Sequence, residues 1–345
     1  MSIKVVSAAS VIADLEAGNL ASTVITHDGP RHADEVLALA RLAAGTPRDL
    51  RVCFTRDQKV LGLRNTPSLT FVDVGGSYAP GEGRFDHHFR PTPAREDGLP
   101  LSSFGMVTLA DHPDEVDHPL VRHVDAIDNG VKGEPAPGWW PCFNSADPNG
   151  GSVAWAVHHA NPANVDGSPV TDAQFEARAV ELIELFMPLF GWDGALLGDD
   201  DCERAVLANI AGQLSVWHAD NHAAYQASAK RVAAALEGHS DPVLVLNQYE
   251  GAALDTLAAQ PETGPLYVVF PGPGGRQWMV QQVATAPGSF AGRKPLPEAW
   301  AGLRDAAIQE ATGVADAVFC HPGRFICGAV NREGAITLAR LAVGA

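Results

Sequence analysis

The sequence predicts an α/β protein with an N-terminal parallel-sheet domain, a helical connector and a smaller C-terminal α/β domain. Three observations carry this. Short β-branched apolar runs alternate with segments of helical spacing early in the chain, the pattern of a parallel sheet covered by helices. A long stretch from about Thr171 to Glu237 has helical character. Strand and helix signals then resume at Pro242. A chain of 345 residues is long enough for two domains and a connecting part, with expected bounds 1–165, 166–240 and 241–345.

The elements follow in order. Thr23–Thr26 is a short apolar strand, and Asp34–Ala44 places Val36, Leu37, Leu39, Ala40 and Ala43 at helical spacing. Leu50–Thr55 and Leu69–Val74 are further strands, the last closed by Gly75-Gly76. His118–Asp128 reads as a helix stopped at Asn129-Gly130. Pro135–Pro148, rich in Pro and Gly, reads as a loop carrying Trp139-Trp140. The helical stretch opens on Thr171-x-x-Gln174, a capping-box pattern. In the C-terminal part, Pro242–Leu246, Leu266–Phe270, Gln277–Val283 and Ala317–Cys320 read as strands, and Pro297–Thr312 and Glu333–Val343 as helices.

Composition narrows the function. The chain is 46% apolar and 19% charged, ordinary for a globular protein. No apolar run reaches the length of a membrane span, and the N-terminal residues, interrupted by Asp14 and Glu16, do not read as a secretory signal. Five cysteines, with no Cys-x-x-Cys pair, fit a reducing, cytoplasmic compartment better than a disulfide framework. A net charge of −17 with only 24 Lys plus Arg argues against a long basic nucleic-acid footprint. It favours a small substrate, a nucleotide or short oligonucleotide. A homo-oligomer stays open.

The chemistry lies in the first 90 residues. His27, His32 and Asp34 sit on a strand-to-helix loop, Asp73 at a neighbouring strand end, and Asp86-His87-His88 just beyond. Asp125 and Asp128 share one helical face. In open parallel sheets, ligands bind outside the carboxyl ends of strands, where His27 and Asp73 fall. Mixed imidazole and carboxylate ligands suit divalent metals, and two ions bridged by a carboxylate clamp the attacking and leaving oxygens of a phosphoester. Two divalent ions are therefore expected, manganese first, with magnesium, cobalt or zinc as alternatives. A single zinc activating water for deacylation, and a non-catalytic nucleotide-binding module, are the competing readings.

Several strings carry a family resemblance. They are Thr26-His27-Asp28-Gly29 through His32-Ala33-Asp34-Glu35, Val72-Asp73-Val74-Gly75-Gly76, Phe85-Asp86-His87-His88 and Val124-Asp125-Ala126-Ile127-Asp128-Asn129-Gly130. In the C-terminal part they are Ser289-Phe290 with Arg293, Leu296-Pro297-Glu298-Ala299-Trp300-Ala301-Gly302-Leu303-Arg304, Phe319-Cys320-His321 and Phe325-Ile326-Cys327-Gly328. With them the chain resembles the DHH phosphoesterase superfamily, and within it the melanocyte proliferating gene family of metal-dependent hydrolases, some of them 3′–5′ exonucleases. Asp28 stands where that family usually has Asn, and Cys327 where it has Gly.

The resemblance implies a DHH-type catalytic domain and a C-terminal substrate-binding domain. It implies that His27, His32 and Asp73 hold one ion, and that Asp34, Asp73, His87 and either Asp125 or Asp128 hold the other. His88, with Asp86 beside it, would contact the scissile phosphate or act as general acid. Arg293, His321 and Arg324 would bind substrate phosphate. The expected activity is metal-dependent phosphodiester hydrolysis, as a 3′–5′ exonuclease or an (oligo)nucleotide phosphodiesterase.

Other conspicuous residues read as structural. Trp139-Trp140 suits plugging a loop onto a core better than stacking on a base. His158-His159 reads as a helix-end pair, and Pro271-Gly272-Pro273-Gly274-Gly275, lacking Lys and a following helix, as a hairpin turn. Trp217, His218 and His222 fall on an ordinary helical face. Arg304 is expected to pair with Asp305 or Glu298.

Overall fold

A computed structural model describes residues 2–19, 21–89, 91–131, 152–198, 201–272, 275, 277–287, 289 and 291–345, the side chains of 201–204 excepted. Trp139-Trp140 and the Pro135–Pro148 loop, Phe290, and Pro273-Gly274 of the expected turn lie outside the described residues. The chain divides into two compact units. The first comprises 1–145, 150–161 and 172–218, and the second 146–149, 162–171 and 219–345.

The first unit contains β1 (Ile3–Val5), α1 (Ala8–Glu16), β2 (Thr23–Thr26), α2 (Ala33–Ala44), β3 (Leu50–Phe54), α3 (Gln58–Leu61), β4 (Leu69–Val72), β5 (Tyr78–Ala79), β6 (Arg84–Phe85), α4 (Ser103–Asp111), α5 (Pro119–Asp128), α6 (Val153–Ala160) and α7 (Asp172–Phe186). Among the described residues, β1-β3-β2-β4-β6-β5 form a six-stranded sheet. Every pairing is parallel except β5 with β6. The chain leaves β2 for β3 on one side and returns to β4 on the other. This is a topological switch point, and it opens a crevice at the carboxyl ends of β2 and β4.

Both sheet faces are buried, which is why the strands read as continuous rather than alternating apolar runs. Val24, Val52 and Val72 pack into a core with Val36, Leu37 and Leu39 of α2 and Phe104 of α4. Ile25, Cys53 and Phe71 point the other way, onto Val11 of α1 and Val60 of α3. β6 lies parallel to β4, pairing Val72 with Phe85, so the segments after these strands emerge side by side.

The expected helical stretch is two helices. α7 stops at Phe186, and α8 (Asp201–Leu236) starts after an irregular segment. Pro188 holds that segment in a short 3-10 turn, and Gly194 and Gly198 carry positive φ. The division between the two units falls within the residues of α8, between His218 and Ala219.

The second unit contains β7 (Val243–Val245), α9 (Ala253–Ala258), β8 (Tyr267–Pro271), β9 (Trp278–Gln282), α10 (Asp305–Thr312), β10 (Ala317–Cys320), β11 (Ile326–Ala329) and α11 (Arg332–Gly344). Its sheet runs β10-β11-β9-β8-β7. Only β7 and β8 are parallel. β8 and β9 pair antiparallel as far as Pro271 with Trp278, as the hairpin reading of 271–275 requires. The helix expected over Pro297–Thr312 begins only at Asp305, because Gly302 takes φ 74° and the chain turns there. Arg304 lies over the Phe319 ring and, among the described residues, does not pair with Asp305 or Glu298. His158 and His159 end α6, as expected. No described helix is long and apolar enough to cross a membrane.

α4 and α5 meet at a glycine. Ser102 donates to Asp125 Oδ1 from its backbone N (2.9 Å) and from Oγ (2.6 Å), and Arg95 donates to Oδ2. Gly105 lies against this carboxylate, and an added Cβ would collide with it. Gly105→Ala should therefore cost about 1–3 kcal/mol as an overpacking defect, measured by urea denaturation. An unchanged midpoint would mean that the α4–α5 contact tolerates separation.

Candidate metal centre

The first motif is a loop between β2 and α2. His27 Nδ1 lies 2.9 Å from the Asp28 carbonyl oxygen. A carbonyl can only accept, so Nδ1 carries a proton, which leaves Nε2 as the nitrogen that can bind a cation once it is deprotonated. That Nε2 faces two carboxylates, Glu35 Oε2 at 3.1 Å and Asp73 Oδ2 at 3.4 Å. It is buried and has no hydrogen-bond partner.

Arg31 braces the loop from below. Its guanidinium donates to the Gly29 and His27 carbonyls, lies over Phe54 and stands 3.5 Å from Glu35 Oε1. Asn161 locks the same residue from a distant segment. It accepts from Arg31 N at 2.7 Å and donates to Arg31 O at 2.9 Å. Asp28 pairs with Arg56 at 2.7 Å.

Asp73 is the hub. It follows β4 with φ 59°, the left-handed region that Asp tolerates better than most residues. Its N–H donates to Phe85 O at 3.0 Å, which ties the turn to β6. Oδ2 looks at His27. Oδ1 looks at His87 Nε2 (3.3 Å) and His88 Nδ1 (3.4 Å) and accepts from Ser103 Oγ (3.2 Å).

His87 Nε2 is also 3.1 Å from Asp128 Oδ2 and 4.0 Å from Asp34 Oδ2. Asp34 is fully buried in the first turn of α2, and neither of its carboxylate oxygens has a hydrogen-bond partner. Asp86 accepts from Gly76 N, His88 N and His88 Nδ1, the last at 2.7 Å.

The donor atoms fall into three overlapping sets: His27, His32, Glu35 and Asp73; Asp73, His87 and His88; and Asp34, His87 and Asp128. Unpartnered buried oxygens converging with imidazole nitrogens fit divalent cations, which would satisfy them together.

Electrostatics follow from this crowding. Burial, with Asp128, Asp73 and Glu35 nearby, pushes the Asp34 carboxyl well above the usual range. Burial opposes charge on His87 too, but Asp128, Asp73 and Asp34 outweigh it and raise its pKa well above the ordinary imidazole value. Burial likewise opposes ionisation of Asp73, yet His88, His87 and His27 hold its carboxyl well below the usual range.

The structure brings together His27, His32, Asp34, Asp73, Asp86, His87, His88 and Asp128. Of the two aspartates that the sequence left open, Asp128 joins the cluster. Asp125 turns to Ser102 and Arg95, with burial pushing its carboxyl up to about 6. Glu35 was missed. The spacing His32-x-x-Glu35 puts both side chains on one side of the first turn of α2, but in the sequence it reads as a capping box.

Arg293, expected to bind substrate phosphate, is engaged within its own unit. Its guanidinium donates to the carbonyls of Pro265 (3.0 Å), Leu257 (2.8 Å) and Gln260 (2.6 Å). These bonds brace the turn around Gln260. His321 and Arg324 lie in the β10–β11 turn, where His321 Nδ1 accepts from Gly323 N and Arg324 takes φ 60°. Among the described residues, the Arg324 guanidinium makes no hydrogen bond or ion pair.

Comparisons with known proteins agree with this picture. The family model MYG1_exonuc, described as an uncharacterised protein family (UPF0160), matches residues 23–110 and 202–343. The MYG1 exonuclease of Rattus norvegicus is 29% identical, over 91% of this chain and 83% of its own length. That of Homo sapiens is 28% identical, over 91% and 84%. The MYG1 protein of Schizosaccharomyces pombe is 27% identical, over 93% and 97%. Among solved structures, RecJ from Thermus thermophilus in complex with Mn2+ aligns with a TM-score of 0.50 at 14% identity, covering 98% of this chain. This chain spans 54% of RecJ, and the likeness is one of fold.

The raised pKa of His87 has a signed consequence. Its folded value lies above the ordinary 6.5. The stability it contributes is therefore complete below about pH 6.5 and is lost as pH rises through the folded value. With divalent ions stripped by EDTA, unfolding free energy should fall with rising pH above 7, by at most about 1.4 kcal/mol per unit. His87→Gln should flatten that slope in thermal or urea titrations. A slope of undiminished steepness in His87→Gln would assign it to another group.

Proposed function

The chain belongs to the MYG1_exonuc family, and from that premise we propose that it is a metal-dependent phosphodiesterase of the DHH type, acting as an exonuclease on nucleotides or short oligonucleotides. The observation that carries the reading is Asp73. One of its oxygens faces His27 and the other faces His87, each in a separate donor set. A shared carboxylate is the device by which two-ion phosphoesterases space their metals. Deacylation at one zinc has no use for it. The names of the relatives and the Mn2+ complex of RecJ support the same reading.

His27, His32 and Asp73 would hold one ion, and Asp34, Asp73, His87 and Asp128 the other. Bound there, two divalent ions would supply an activated water and offset the charge developing at phosphorus. The protein's own groups do the rest. His27 is fixed in its tautomer by the Asp28 carbonyl, and Ser103 steadies Asp73. Asp86 orients His88 through Nδ1, so that Nε2 can hand a proton to the leaving oxygen. Arg324 is the remaining guanidinium of the expected phosphate grip.

The acidity of the chain, −17 overall, keeps the substrate short. Digestion in the 3′–5′ direction is the expectation carried by the family resemblance. A cytoplasmic setting is consistent with Cys53, Cys320 and Cys327 being free.

The test is phosphodiester release with Mn2+, Mg2+, Co2+ or Zn2+, on oligonucleotides labelled at either end. No release with any of these ions would sink the proposal. Asp73→Ala should lose several orders of magnitude in turnover along with its bound metal, because the bridge serves both ions. Near wild-type turnover and metal content would remove the bridging role.

Asp128→Asn and Asp125→Asn should separate by metal analysis. The first should lose about one ion per chain. The second should keep both ions and show instead the lower stability of a weakened α4–α5 contact. Equal metal content in the two variants would exclude the α5 carboxylate from the centre.

A further inference from the structure

We propose that Glu35 is the fourth protein ligand of the first ion, so that this ion sits among two imidazoles and two carboxylates. The inference rests on the two-ion reading above and goes beyond it by assigning a residue that neither the motif spacing nor the family resemblance supplied.

Three features of the geometry lead to it. His27 Nε2 faces Glu35 Oε2 at 3.1 Å and Asp73 Oδ2 at 3.4 Å. Lone pairs at such distances repel unless a proton or a cation lies between them. His27 Nε2 is 1% exposed and has no hydrogen-bond partner. Glu35 Oε2 is also 3.6 Å from His32 Nδ1, which brings all four donors around one point.

The carboxylate is held for this task. Oε2 accepts from His32 N at 2.9 Å, which uses one lone pair and leaves the other. Oε1 is turned to the buried Arg31 guanidinium at 3.5 Å, an ion pair that favours this orientation of the carboxylate.

The two ions are then chemically distinct. The first has two nitrogen donors, His27 and His32, and suits Mn2+, Co2+ or Zn2+ better than Mg2+. The second has one nitrogen, from His87, against three carboxylates, and suits harder ions.

Glu35→Gln tests this. The amide oxygen can still cap His32 N, while the anionic donor is lost. Co2+ is the probe, titrated into metal-free full-length protein and followed by calorimetry and visible absorption. Wild type should take up two Co2+ per chain. Glu35→Gln should bind one of them at least about 10–100-fold more weakly, the range for disturbing even an outer-shell partner, with an altered absorption band. Asp128→Asn should weaken the other ion and leave that band in place.

Two Co2+ bound by Glu35→Gln with unchanged affinity and spectrum would reduce Glu35 to a helix cap while leaving the two-ion reading intact. Fewer than two ions in wild type would overturn both. Should Glu35→Gln fail to fold, crystals of wild type soaked with Zn2+ decide the matter. A Glu35 oxygen about 2.0–2.2 Å from the ion supports the assignment, and one beyond about 3 Å overturns it.

Discussion

Four carboxylates, those of Asp34, Glu35, Asp73 and Asp128, the first three buried, converge at the carboxyl end of one sheet. That concentration of negative charge is what the first unit has to accommodate. Like charges this close cannot all ionise in a buried site without compensation. The chain's own compensation is partial. Arg31 sits against Glu35, and three imidazoles surround Asp73. Asp34 is left with no partner for either oxygen. The backbone makes the convergence possible. The switch point after β2 opens the crevice, and the left-handed turn at Asp73 points a carboxylate into it.

Much of this was legible in the sequence because it rests on local patterns. The strands at Thr23, Leu50 and Leu69 and the helix after His32 announce themselves as apolar runs and helical spacing, and the candidate ligands stand at their ends. What escaped has a common cause. β1, α1, α3, α4, α9 and β11 are short, and their apolar residues are too few to show a period. Tertiary pairing decides them. Ile3 to Val5 form a strand only because β3 lies beside them.

The same limit explains the site residues. Asp125 and Asp128 share a helical face, and nothing in their spacing says that Ser102 and Arg95 will claim the first. Arg293 lies in a Gly-containing loop that looks suited to phosphate, but three backbone carbonyls left open by a turn claim it first. Glu35 was hidden behind a more familiar explanation. An acidic residue in the first turn of a helix is already accounted for by the dipole and the capping box, so its second role is visible only in space.

The Asn161–Arg31 clasp joins residues 130 positions apart. Its consequence concerns the order of events on the ribosome. The loop bearing His27 and His32 emerges early, together with the strands that flank it, but its backbone is fastened only when the end of α6 has been synthesised. Asp128 and Asn161 both belong to that later segment. A nascent chain that has made the sheet therefore holds an incomplete set of donors on an unfastened loop. The donor cluster is therefore complete and fastened only once residue 161 has been made, well after the loop that carries its first two imidazoles.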